Sequence, residues 1–208
     1  MPSNSKLSFK SEPFAEIIES CLDNFTAQSW QWNLFPDFGS LLQVQGKDFV
    51  MLGCVIHVQT GSMDPLRYPF PYQKTEEELL AEQPQIFEFL KTAFKVQVLG
   101  YIEQAGGQNK ITYLVPPQPC KIHAFVSHAE LNVAARFFEK TDFMNLLFAF
   151  SNQIPNLDEL LLAILHRLAK QKILNQKFLN DFCQHFSLLT GNDYRRLKLF
   201  LQRVEMVI

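Results

Sequence analysis

Ten residues, Phe49-Val50-Met51-Leu52-Gly53-Cys54-Val55-Ile56-His57-Val58, constrain the fold of this chain most. The run is rich in strand formers and follows Gly46-Lys47-Asp48, which has the chemistry of a tight turn. Leu42 and Val44 alternate with Gln43 and Gln45 on the other side of that turn, so the two segments predict a β-hairpin. The loop Asp64-Pro65-Leu66-Arg67-Tyr68-Pro69-Phe70-Pro71-Tyr72 that follows is barred from helix, because each proline lacks a donor and pushes its predecessor out of the α region. Thr75 with Glu78 predicts a capping box opening a short helix, and Pro84 a second helix over Gln85 to Thr92. Val96 to Tyr101 then alternates as a strand.

That succession carries a resemblance. The glycine-ended strand, the Asp-Pro-x-Arg-x-Pro loop, the acidic capped helix, EQPQIFEFLKTAF and VQVLGYIE are similar to the HAS-barrel domain. This is the small six-stranded barrel shared by HerA-type DNA translocases and rotary ATP synthase subunits. The resemblance covers about Ala15 to Val126. The remainder, including PPQPCKIHAFV and GNDYRRLKLFLQR, resembles functionally uncharacterised bacterial proteins that join such a barrel to a helical tail. It implies a barrel that packs beside its neighbours and docks other subunits. Protein partners and self-association are therefore expected.

The expected fold class is α+β: a small six-stranded antiparallel β-barrel with a helical insertion, then an all-helical C-terminal domain. Residues 1–11 are polar and serine-rich and read as a loose terminus. The barrel is expected over residues 12–126, with its insertion at about 62–94, and the helical bundle over 127–208. Within the barrel, Phe14, Ile17, Ile18, Cys21 and Leu22 fall at helical spacing, whereas the resemblance places the opening strand there. Phe25–Trp32 and Ile122–Val126 read as strands, and Ala105-Gly106-Gly107-Gln108-Asn109 as a hairpin turn between Val96–Glu103 and Ile111–Val115. Beyond it, Ser127 with Glu130 predicts a second capping box before Leu131–Lys140, and Phe143–Phe150 a short apolar helix. Asn156 with Glu159 should open Leu157–Gln171, and Asn175–Leu189 repeats the same amphipathic spacing. Gly191 predicts a stop, with Asn192 capping the last helix.

Phenylalanine occurs 20 times along the whole chain, which reads as core filling. The formal charge of −2 hides an asymmetry. Residues 1–163 carry 11 Lys/Arg against 18 Asp/Glu, and residues 164–208 carry 8 against 3, so the nets are −7 and +5. The N-terminus lacks the basic start and apolar core of a signal peptide, and no apolar stretch approaches the roughly 20 residues of a membrane span. Cys21, Cys54, Cys120 and Cys183 lack paired spacing, as expected of reduced thiols in a cytoplasm.

Catalytic constellations are not found. The Gly46-Lys47 pair is followed by Asp48, where a phosphate loop needs Ser or Thr, and an acid there repels phosphate. No G-x-S-x-G elbow occurs. Cys120 with His123 and His128 lacks the second local pair of a structural zinc site. Cys183 with His185 is weaker still, since Cys183 falls on an apolar helix stripe. Glu76, Glu77 and Glu78 suit a helix N-terminus. The expectation is a non-enzymatic protein-binding or assembly module with no metal and no cofactor. Its candidate partner-binding residues are Asp64, Arg67, Tyr68, Phe70 and Tyr72, in a loop stiffened by proline. An ion pair of Asp64 with Arg67 bracing the loop on its own barrel is the competing reading. The alternative function is nucleic-acid association through phosphate contacts from Arg195, Arg196, Lys198 and Arg203, whose competing reading is a solvated basic face.

Overall fold

The computed structural model describes residues 11–64, 66, 69–104 and 109–207. Strands β1 (Pro13–Ser20), β2 (Asn24–Ser29), β3 (Leu41–Gln45), β4 (Phe49–Ser62), β5 (Leu90–Glu103), β6 (Lys110–Thr112) and β7 (Phe125–His128) form one antiparallel sheet. It runs β2-β1-β7-β3-β4-β5-β6, and a further pairing of β2 with β5 closes six of the strands into a barrel. β5 can serve both neighbours because its first half, Ala93 to Gln97, pairs with β2 and its end, Tyr101 to Glu103, with β6. Closure removes the unpaired edges that an open sheet of this size would present.

The helices are α1 (Glu76–Glu82), α2 (Gln85–Glu88), α3 (Leu131–Phe137), α4 (Phe143–Ala149), α5 (Leu157–Lys170), α6 (Gln176–Leu189) and α7 (Tyr194–Val207). The last five form a layer against the outside of the barrel. This explains the apolar run that opened the sequence argument. On β4, Met51 and Val55 fill the barrel interior with Ile17, Phe25, Val44, Phe94, Val96 and Val126. Val50, Leu52, Cys54 and Ile56 point the other way, into a second core with Leu99, Ile102, Phe137, Phe143, Leu161 and Phe182. A strand buried on both faces has no polar positions to alternate with.

The opening segment is strand, as the resemblance implies: Ala15 to Ser20 pairs with Phe25 to Ser29, and tertiary pairing overrides its helical spacing. Several other expected elements shift. Helix α2 stops at Glu88 instead of reaching Thr92: Leu90 to Thr92 pairs with Thr60 to Ser62, and the Thr92 hydroxyl hydrogen-bonds the Trp32 carbonyl. The helical excursion from the barrel therefore runs over residues 63–89. The last barrel strand is Phe125–His128 rather than Ile122–Val126, because His123 takes φ 66° and turns the chain. Ser127 pairs with Gln43 inside that strand and caps nothing; α3 starts after Glu130 without a side-chain cap. Gly191 and Asn192 both have positive φ, which ends α6, and the side chain that accepts from the first turn of α7 is Asp193, from the Arg196 N–H at 3.0 Å. The Thr75 box and the Asn156 cap form as their sequences predict, and Asn175 caps α6 by accepting from the Phe178 N–H at 2.9 Å. β2 and β6 are shorter than their predicted segments, and Ala105 to Gln108 of the predicted hairpin turn lies outside the described residues.

A polar network ties the β1–β2 turn to the 3₁₀ turn Ser151–Gln153 of the helical layer. Gln153 Nε2 donates to Asp23 Oδ2 at 2.8 Å, and Asn24 Nδ2 donates to Gln153 Oε1 at 3.0 Å. Burial raises the Asp23 pKa, but hydrogen bonds to its charged form from Gln153 and from Asn24, whose Nδ2 also donates to Asp23 Oδ2 at 3.1 Å, outweigh it and hold the carboxyl below the usual range. A folded-state pKa below the unfolded one gives stability that is complete above the unfolded pKa and is lost as pH falls through the folded one. Asp23→Ala should therefore cost stability at neutral pH, and the gap to wild type in urea unfolding should close below about pH 4. A gap that stays constant down to pH 2 would place the cost elsewhere.

Candidate functional site

Three places on the surface combine exposure with chemistry. The first is the excursion 63–89, which leaves the barrel between β4 and β5. Its base is closed by Met63 N–H donating to the Phe89 carbonyl at 2.7 Å, and Phe87 stacks on Trp32 with ring centroids 5.4 Å apart. Asp64 Oδ1 accepts from the Leu66 N–H at 2.9 Å, and Asp64 N–H donates to Ser62 Oγ at 3.1 Å, so Asp64 shapes the entry turn. Thr75 and Glu78 form the reciprocal box at the start of α1, and Lys74 pairs with Glu82. Neither α1 nor α2 contains a buried residue. Leu66 is 90% and Phe70 69% exposed, and Phe70 meets Tyr72 edge-on at 5.4 Å. Of the predicted partner-binding residues, Asp64, Phe70 and Tyr72 thus share this excursion, while Arg67 and Tyr68 lie outside the described residues.

The second place is α7. Its four basic candidates divide in two. Arg196 makes two hydrogen bonds to Asp158, Nε to Oδ2 at 3.2 Å and Nη2 to Oδ1 at 2.6 Å, and lies over the rings of Phe186 and Phe148. Hydrogen bonding to Asp158 raises its pKa further. Arg203 pairs with Glu159 at 2.6 Å. The first turn of α5 thereby neutralises both arginines, an arrangement that also suits the positive end of that helix. Arg195 and Lys198 are exposed, and neither has a hydrogen-bonding or ionic partner among the described residues. A groove of about 500 Å³ runs beside Arg195, Arg196 and Arg203, lined in part by Leu199, Phe200 and Met206.

The third place is the seam between barrel and helical layer, which the sequence reading did not find. Arg167 of α5 donates from Nη1 to Asp37 Oδ2 at 2.6 Å, across 130 positions of sequence. The Asp37 carbonyl accepts from the Ser40 hydroxyl at 2.7 Å and from its N–H at 3.1 Å, which folds the loop tightly. Gly39 has φ 79°, and a Cβ there would lie 2.9 Å from Ala163 Cβ, so only glycine lets the loop press on α5. His128, at the end of β7, stacks on Phe14 at 4.9 Å. Burial, with the charge of Arg167 added, lowers its pKa despite the opposing charge of Asp37. A cleft of about 360 Å³ opens between Ser40, His128 and Arg167. No local motif could have signalled it, because its residues come from a loop, a strand end and a helix far apart in sequence.

Cys120, His123 and His128 do not converge. Cys120 is buried with its Sγ 3.5 Å from Met51 Sδ, His123 Nδ1 lies 3.2 Å from Glu16 Oε2, and His128 belongs to the seam. No group of three metal-ligating side chains occurs among the described residues. Burial pushes the thiols of Cys54 and Cys120 up to about 12, which leaves both as unreactive core residues. No helix among the described residues is long and apolar enough to cross a membrane. The fold defines a small closed antiparallel barrel covered on one side by helices. The sequence matches no protein-family model, and no curated protein is significantly similar to it.

Proposed function

We propose that this chain is a protein-docking or assembly module of a cytoplasm, with a barrel of the HAS kind. The observation that carries the reading is the excursion 63–89, whose helices contain no buried residue while Leu66, Phe70, Leu80 and Phe89 stand exposed on it. Short helices gain little stability alone, so such an arm is best suited to a partner surface. Phe70 and Tyr72 are aromatic, the kind of side chain that dominates interface energetics once seated in a pocket. Its exposed acids, Glu76, Glu77, Glu78 and Glu82, favour a partner with a basic rim.

The test is affinity capture from the native cell, followed by binding measurements with the purified partner. Phe70→Ala with Tyr72→Ala should weaken binding by roughly a hundredfold, about 2–3 kcal/mol, while leaving the melting temperature nearly unchanged. Unchanged affinity together with a lower melting temperature would make the two rings structural. A nucleic-acid-associated role is the second reading, favoured by the exposed Arg195 and Lys198 alone. It requires binding that falls steeply with salt and weakens when both are changed to Gln.

A further inference from the structure

We propose that the seam between barrel and helical layer is a binding site for a phosphate group, with Arg167 as its central donor. The inference is independent of the partner-docking role of the excursion. Arg167 separates two neighbouring clefts. One, of about 360 Å³, is lined by Ser40, His128 and Gln171; the other, of about 470 Å³, by Phe38, His166, Lys170 and again Gln171. Asp37 and Arg167 line both, so the ion pair forms the partition between them.

A guanidinium has five N–H donors in a planar fork. Among the described residues Arg167 gives one of them to Asp37, and its side chain is only 27% exposed. None of its nitrogens is sealed in the core without a partner, so the remaining donors open onto the clefts. Asp37 holds its end of the pair with a side chain 75% exposed, free to turn into solvent without leaving a buried charge. An incoming anion can therefore take over the guanidinium at little cost. Among the described residues lining the two clefts, the cationic and imidazole groups are Arg167, Lys170 and His166 from α5 and His128 from β7, and the acid is Asp37 from the loop. That balance favours a dianion over a single carboxylate, and planar forked donors match phosphate oxygens. Burial and the charge of Arg167 lower the His128 pKa, and a dianion bound beside it would raise it. Gly39 and the Ser40 turn keep the wall of the cleft rigid, so the site is largely preformed.

The experiment titrates the full chain with inorganic phosphate and, separately, with glycerol 3-phosphate, following the His128 ring by NMR. His128→Gln supplies the assignment. Saturable shifts of that ring and a rise in its pKa are expected. Arg167→Gln should weaken binding at least roughly tenfold. Asp37→Asn should tighten it severalfold, because it removes the competing carboxylate; a merely structural ion pair would not produce that sign. Lys177→Gln, at an exposed position of α6 away from both clefts, should leave affinity unchanged. Tighter binding of glycerol 3-phosphate identifies a phosphomonoester as the ligand, and equal or weaker binding identifies the free anion. An absence of saturable shifts, or affinity indifferent to both Arg167→Gln and Asp37→Asn, would overturn the proposal.

Discussion

Removing residues 129–208 should leave the barrel insoluble, although all six of its strands would still be present. The cut falls after His128 because β7 closes the barrel through β1 and β3. The helical layer covers Val50, Leu52, Ile56, Leu99 and Ile102, each at most 2% exposed, on the outer side of β4 and β5. At roughly 1.5–3 kcal/mol for each aliphatic side chain, uncovering them forfeits on the order of 10 kcal/mol. That is comparable to the whole stability of an ordinary domain. It also creates an apolar surface of the kind that drives association. Soluble yield and size-exclusion profile measure the outcome. A monomeric fragment melting at the wild-type temperature would mean that the two halves are energetically separate.

Phe186→Ala should be the most damaging single substitution in the helical layer. The ring is fully buried, stacks on Phe200 with centroids 4.4 Å apart, and meets Phe148 edge-on at 5.9 Å. The Arg196 guanidinium lies 5.6 Å from its centre. Truncation removes the ring, leaves a cavity and strips the arginine of that contact, for a loss of about 3–5 kcal/mol. In a chain of this size the melting temperature should fall by roughly 10 °C. Phe186→Leu keeps much of the volume and should cost about 1.5 kcal/mol or less. If Leu and Ala variants melt together, the contribution comes from the aromatic contacts rather than from filled space.

The clustering of phenylalanines around Phe186 shows what composition could and could not say. Twenty phenylalanines imply a rich core, and Phe137, Phe143, Phe182 and Phe186 do fill one. Yet Phe35, Phe89 and Phe125 are at least half exposed, and nothing in their local sequence marks them off as the proline loop marks off Phe70. Capping was legible where one side chain and its nearest amides suffice, as at Thr75 and Asn156. It misled at Ser127, where a serine three residues before a glutamate was claimed by strand pairing instead.

The sequence by itself determined the order of the elements, from strands with a helical excursion to an unbroken series of helices. Proline, glycine and cap residues act within a few positions, and hydrophobic period is likewise a local property. Only the tertiary structure decided that β2 meets β5 to close the barrel, and that β4 is covered on both faces. It also decided that Arg196 and Arg203 pair with Asp158 and Glu159, while Arg195 and Lys198 remain in solvent. In sequence all four are basic residues within nine positions of one helix. Their difference lies in which acids another helix brings within 3 Å, and that distance is set by packing. The seam has the same origin: Asp37 and Arg167 are 130 residues apart, and the pressing of one loop against α5 makes them neighbours.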